Sequence, residues 1–463
     1  MQLLLVLAIV TAVSISEYAP HQPVPDAGMR LVLAVLAMAI APLFAAATSS
    51  LIAESLRRDF GRKSDLLRWF GRLRGIHSFI WFVVAGVVLH QLGWVRVVRF
   101  NWHLDGTFLL DDLLIFLPII VPLVLSWAAF YEVERSLHRA ASEDSSSMLV
   151  TRSQYLSLHA RHYLGLLFVP VLCVLAVQDV IQYVGPALPG ESEAFLLLLP
   201  IGGLLLFFPL VLRGIWNTEP LPAGELRDRL TTFSGRAGFK AGELFTWRTD
   251  RMMVNAAVVG LLRPWRYVFF TDALLARFSS DEIEAVLGHE IGHVRRHHLF
   301  ERILVMALPV ALWFAFARMF PAVTQQAVHW FAGYGLSAEA QAAIAGPVGL
   351  AIYAVTLFAL HARLLEYDAD LFAARTCDPT SNLSQTGSER MAALLEKLAL
   401  VSGMDRRARS WLHPTIADRV LFLEQVANDP KSGEKFERRM RVSHRVLFVL
   451  FAAMAVYLVV TSA

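Results

Sequence analysis

Two histidines four residues apart, His289 and His293, flank a glutamate at Glu290 in the string His289-Glu290-Ile291-Gly292-His293. On a helix that spacing puts both imidazoles on one face, one turn apart, where they can share a single Zn²⁺. Such a centre needs a third protein ligand and an open position for water, whose pKa the metal lowers toward neutrality. Glu290, beside the pair, is placed to take that water's proton and pass it to a leaving amine. The chemistry implied is hydrolysis of a peptide bond with one zinc ion per chain. The two cysteines, Cys173 and Cys377, supply neither a disulfide framework nor a cysteine zinc cage, so His and carboxylate must hold any metal.

The elements that position these groups are helical. Ser279 and Glu282 have the spacing of a capping box, which opens a helix carrying both histidines. The third ligand is expected on a second helix: an apolar run ending near Leu360 continues without a breaker through Glu366-Tyr367-Asp368-Ala369-Asp370. Glu366 and Asp370 then lie one turn apart on one face. Glu366 suits the metal, and Asp370 suits the ring N–H on the far side of a ligating histidine. His297 continues the four-residue spacing, but two turns along a straight helix it is roughly 12 Å by rise from His289 and out of reach. His297 and His298 therefore read as interfacial cations.

Composition sets the surroundings. The chain has 463 residues, 56% hydrophobic and 17% charged, with a mean hydropathy of +0.51, too apolar to cover a soluble protein of this size. The net charge of +3 is too small for a nucleic-acid partner, and the lipid bilayer is the expected one. Runs long enough to span a membrane fall near 31–53, 76–93, 113–131, 163–183, 194–213, 302–319, 344–362 and 445–461, eight in all, with a ninth possible at 2–16, either a retained anchor or a signal peptide. The loop after 31–53 carries Arg57, Arg58, Arg62, Lys63, Arg68, Arg72 and Arg74, whereas 184–193 and 320–343 contain no Lys or Arg. The positive-inside bias makes the basic loop cytoplasmic, and alternation puts 132–162, 214–301 and 363–444 on the same side. Arg96 and Arg99, in the loop at 94–112, run against the bias. His90, Asp111, Asp112 and Asp179 sit in or near apolar runs; they are interfacial, or line a water-filled chamber.

The expected fold is an all-α polytopic membrane protein of 8–9 transmembrane helices with a small α+β cytoplasmic zincin-like catalytic domain. Its parts are an N-terminal membrane region (1–213), a cytoplasmic segment with the histidine motif (214–300), two transmembrane helices (301–362), a second cytoplasmic segment with the third ligand (363–444) and a terminal transmembrane helix (445–463).

The His289–His293 motif, the Glu366–Asp370 stretch after two intervening membrane helices, and His413-Pro414 followed by Arg419 together resemble the membrane gluzincin family that contains the CAAX prenyl endoprotease and the heat-shock protease HtpX. The similarity covers roughly 215–425. It implies zinc ligation by His289, His293 and Glu366, Glu290 as general base, Asp370 supporting a ligand, and His413 with Arg419 stabilising a tetrahedral oxyanion. It also implies that the stretch 245–260, with Asn255-Ala256-Ala257, is an edge strand pairing with substrate backbone; residues 266–270 read as the next strand. Five or six helices before the motif exceed the number usual in the HtpX branch, and the helix at 445–461 fits neither branch.

The leading functional expectation is an endopeptidase acting on polypeptides at or in the membrane, lipid-modified or damaged. A sensor that cleaves a cytoplasmic regulator needs an external ligand domain, and no expected outside loop exceeds about 25 residues. A zinc transporter places its ligands within the spans, whereas these cluster at cytoplasmic ends.

Overall fold

The apolar runs fold as helices because in lipid every backbone polar group must be satisfied within its own segment. The computed structural model describes residues 2–141, 150–184, 191–332, 348–377 and 386–460. Among them, seven helices are long and apolar enough to cross a membrane: Ala27–Arg58, Asp65–Gln91, Leu117–Leu137, Arg152–Tyr183, His298–Met319, Val348–Cys377 and Pro430–Tyr457. These are the helices of an integral membrane protein. They coincide with seven of the eight expected runs; the eighth, 194–213, lies in the helix Glu191–Ile215. The N-terminal run forms a 17-residue helix, Gln2–Tyr18, at the short end of what a span requires. The last helix begins at Pro430 rather than near 445, proline being suited to a first helical turn.

The chain divides into two units, one over Met1–Leu205 and one over Leu206–Gly333 with Gly349–Ala463. In the first, the basic residues after Ala27–Arg58 stand on helix ends rather than in a long loop. The turn between the helices is only a few residues, held by Asp59 accepting the Gly61 amide. Ile52, Leu56, Leu66 and Val133 pack beneath it. The two arginines that run against the charge bias are engaged locally. Arg96 donates to the Gln22 and Pro23 carbonyls, and Arg99 pairs with Asp111 at 2.9 Å and Asp112 at 3.6 Å. Asp179 accepts the Leu109 amide.

The second unit contains a four-stranded sheet: β1 (Thr218–Pro220), β2 (Glu243–Trp247), β3 (Ala256–Val259) and β4 (Tyr267–Thr271), in the order β1-β2-β4-β3. β2 and β4 are parallel and the outer pairs antiparallel. β4 is buried throughout, as its Tyr-Val-Phe-Phe sequence demands. β3 forms one edge. One face of the sheet packs through Val268 and Phe270 against Leu230, Phe233, Leu287, Ile291, Leu395 and Leu423, a core that joins the sheet to the helices bearing the motif.

Candidate metal centre

Ser279 caps the histidine helix, Ser280–Arg295, in the expected capping box: its Oγ accepts the Glu282 amide, and the Glu282 side chain accepts the Ser279 amide. The glutamate helix, Ala359–Cys377, runs on from a π-helical turn at Ala354–Phe358. Its contact with the histidine helix is made by small residues. A Cβ added at Gly292 would stand 3.1 Å from the Ala369 Cα and 3.2 Å from its carbonyl oxygen, and one at Gly288 would stand 3.4 Å from the Ala373 Cα. The backbones therefore approach closely enough for short, stiff ligands to meet.

They do meet. His289 Nε2 and His293 Nε2 are 3.2 Å apart, and the two Glu366 oxygens each lie 3.6 Å from one of them. The three ligand atoms fall within 4.8 Å of one another. Tetrahedral ligands about 2.0–2.1 Å from a zinc ion are separated by roughly 3.3 Å, so the donor set and its spacing fit such an ion. Burial opposes the charged form of both rings. At His293 burial, with the neighbouring His289, holds the imidazole well below its ordinary pKa, neutral as a metal ligand must be. At His289 burial also lowers the pKa, but the Asp370 and Glu366 carboxylates outweigh it and raise it to about 9.

Asp370 is fully buried, with Oδ1 2.8 Å from His289 Nδ1. Arg419, itself 9% exposed, donates to both Asp370 oxygens at 2.7 and 2.5 Å. Its Nε and Nη2 are thus engaged behind His289, while Nη1, on the residue for which the resemblance implied an oxyanion donor, stands 4.0 Å from Glu366 Oε2. Desolvation would lower the Arg419 pKa, but Asp370 outweighs it and raises it. His413 sits in a loop with its side chain half exposed and its Nδ1 3.0 Å from Glu366 Oε2. Arg302, which the sequence did not single out, donates to the other Glu366 oxygen at 3.0 Å. Desolvation raises the carboxyl of Glu290, only partly offset by His289.

The edge of β3 lies against the histidine helix. In an antiparallel ladder, bonded and non-bonded pairs alternate. The Thr271 amide donates to Asn255 O, so Asn255 and Ala257 face β4, whose Phe269 pairs with Ala257. Ala256 and Val258 turn their backbone groups to the free edge. The Val258 amide reaches the Glu290 carboxylate, while the Ala256 amide is occupied by the Asn255 side chain. Of the three residues expected to meet substrate backbone, only Ala256 faces outward; Val258, which does too, was missed. Strand alternation, with the strand's phase known, is the signal that finds it.

His298 corrects an expectation. It is 1% exposed and contacts His293 rather than the interface, because the histidine helix stops at Arg295 and His297 turns the chain with a φ of 60°. The helix is therefore not continuous into the membrane segment. His297 remains exposed.

The cluster's geometry could hold a metal ion, and residues 220–427, which contain it, match the family model of Peptidase family M48. The chain is similar to the CAAX prenyl protease 1 homolog of Oryza sativa subsp. japonica, 26% identical over 268 residues that cover 54% of this chain and 59% of that protein. It is also similar to Protease HtpX of Hahella chejuensis, 30% identical over 174 residues, 37% of this chain and 55% of that one. The chain thus spans little more than half the length of these relatives. Among solved structures, the crystal structure of S. mikatae Ste24p aligns with 84% of this chain and 99% of that chain, at 16% identity and a TM-score of 0.48.

Proposed function

We propose that this chain is a zinc-dependent integral-membrane endopeptidase that cleaves membrane-associated or lipid-modified polypeptides, with its catalytic centre on the cytoplasmic side. The observation that carries the reading is the convergence of His289, His293 and Glu366 with Glu290 one residue from the first ligand. A site that only bound metal would have no use for that carboxylate. The names of the relatives, a prenyl protease homolog and HtpX, support a substrate at the membrane. The charge bias of the loops supports the orientation, with 214–300 and 363–444 as the cytoplasmic segments.

In this reading His289, His293 and Glu366 hold one zinc ion, which supplies Lewis acidity toward a water and a peptide carbonyl. Glu290 takes the water's proton; its raised pKa brings it nearer the range where a carboxylate both accepts and returns a proton at neutral pH. The same side chain delivers that proton to the departing amine. The outward backbone groups of Ala256 and Val258 align an extended substrate by strand addition, and the Val258 amide orients Glu290 when substrate is absent. His413 donates to the developing oxyanion. Asp370 fixes His289, and Arg419 acts through Asp370.

The test compares detergent-purified wild type with Glu290→Gln, measuring zinc by elemental analysis and cleavage of casein and a panel of prenylated peptides. Both proteins should hold about one zinc, and only the wild type should cleave, with a loss on the order of 10²–10⁴ for a missing proton carrier. Equal cleavage by Glu290→Gln would remove the assignment of Glu290 as the proton carrier, and zinc binding without cleavage by either protein would leave a binding or transport protein.

A further inference from the structure

His298 and Asp368 are buried to 1% and 0% exposure, and no step of the proposed reaction uses either. They lie in line behind a metal ligand. His293 Nδ1 is 2.8 Å from His298 Nδ1, and His298 Nε2 is 3.1 Å from Asp368 Oδ2. A carboxylate can only accept, so His298 Nε2 must carry the proton in that contact. A neutral His298 then presents a lone pair at Nδ1, and the proton between the two rings belongs to His293 Nδ1. His293 Nε2 is thereby left unprotonated, facing His289 and Glu366.

We infer that His298 and Asp368 are positioning residues that fix the tautomer and ring orientation of His293, as Asp370 does for His289. The inference rests on the metallopeptidase reading. Each metal-binding imidazole is backed by a carboxylate, His289 directly and His293 through an intervening imidazole. The relay continues outward. Arg296 Nε stands 3.8 Å from Asp368 Oδ2, and Arg296 donates to Glu437 at 2.7 Å, as Arg375 does at 2.6 Å. Glu437, 6% exposed, belongs to the terminal helix Pro430–Val460. That helix is thus clasped to Arg296, the C-cap of the histidine helix, and to the glutamate helix, which gives it a part in holding the site rigid.

The experiment measures zinc affinity by chelator competition on the full-length protein in detergent, with the visible spectrum of the Co²⁺-substituted protein as a readout of ligand geometry. His298→Ala and Asp368→Ala should each weaken zinc binding about 10- to 100-fold and alter the Co²⁺ spectrum. Because the two act in series, the double variant should bind about as weakly as the worse single one, whereas adding Asp370→Ala, on the other arm, should multiply the loss. His298→Gln and Asp368→Asn, which keep size and hydrogen-bonding capacity, should fall between and cover the case where an alanine variant does not fold. Glu437→Ala should show a smaller effect in the same direction. Wild-type zinc affinity and an unchanged Co²⁺ spectrum in these variants, with only a lower melting temperature, would overturn the inference and leave a structural role. A wild type that binds no zinc, or binds it as well after Glu366→Ala, would instead remove the metallopeptidase reading and the inference with it.

Discussion

A single methyl group at Gly292 tests whether close helix approach assembles the site. An ideal Cβ there meets the Ala369 Cα at 3.1 Å, its carbonyl oxygen at 3.2 Å and the Phe372 Cβ at 3.2 Å, against a comfortable carbon–carbon separation of about 3.5–4.0 Å. Two of those atoms are backbone, so relief requires the helices to part by about half an ångström. Overpacking of this kind costs about 1–3 kcal/mol, and the gain in helix propensity from glycine to alanine returns about 1 kcal/mol, leaving Gly292→Ala destabilised by about 0–2 kcal/mol. Gly288→Ala is the matched control. Its new methyl meets the Phe233 Cζ, a side-chain atom, at 3.3 Å and the Ala373 Cα at an ordinary contact distance of 3.4 Å, so the propensity gain makes it neutral or up to about 1 kcal/mol more stable. Glu366 lies three residues before Ala369 and moves with it, so the separated helices should also cost Gly292→Ala roughly tenfold in kcat/KM, scaled from the hundredfold loss typical of a 1 Å misplacement. Thermal unfolding in detergent and cleavage assays on the two variants decide it. If Gly292→Ala is as stable and as active as Gly288→Ala, the helix contact does not set the ligand geometry.

Other perturbations address the remaining links. Arg419→Met leaves the buried Asp370 without its ion pair and should destabilise the fold by about 3–5 kcal/mol, with much of the loss recovered in Arg419→Met/Asp370→Asn when unfolding is followed for both. Stripping metal with a chelator should abolish cleavage, and added Zn²⁺ should restore it; retained activity in protein shown by elemental analysis to be zinc-free refutes the cofactor. Burial would raise the Glu282 carboxyl, but hydrogen bonds from Lys397 and Ser279 outweigh it and hold it below its ordinary value. A carboxyl depressed in the folded state contributes stability above its unfolded pKa and loses it as pH falls through the folded one. The stability difference between wild type and Lys397→Met should therefore be present at neutral pH, within the ~0.2–1 kcal/mol of a partly exposed pair, and shrink as pH drops below the usual carboxylate range. A difference in melting that is constant across that range contradicts the pairing.

What could be read from the sequence was whatever local spacing determines. The capping box at Ser279, the four-residue histidine interval and the Glu366–Asp370 turn are facts about one helix each, and the structure builds each of them. The spans were legible for a related reason: a lipid-facing run needs no partner to declare itself. Arg419 and Arg302 were not legible in the same way. Arg419 is 49 residues from Asp370 and Arg302 is 64 from Glu366, and no periodicity links residues that meet only through packing. His298 is the sharper case, because it is only five residues from its partner His293. Extending the helix in a straight line carried His298 round to another face; a left-handed residue at His297, with no glycine to announce it, folds His298 back beneath the site.

One long-range contact did leave a trace. Gly288 and Gly292 stand four apart on one helix, and Ala369 and Ala373 four apart on the other, with the glycines set against the alanines. Small residues at that interval mark a face where another backbone approaches closely. The spacing is the same as that of the histidines, so the small face and the ligand face keep a fixed angle around the helix, and Gly292 immediately precedes His293. Any partner drawn in close by the glycines is therefore brought beside the imidazoles, and a partner helix whose own small residues follow its glutamate delivers that glutamate to them. The contact that lets the helices meet and the histidines proposed to hold metal are set by one periodicity, and a change to either face should be felt at the site.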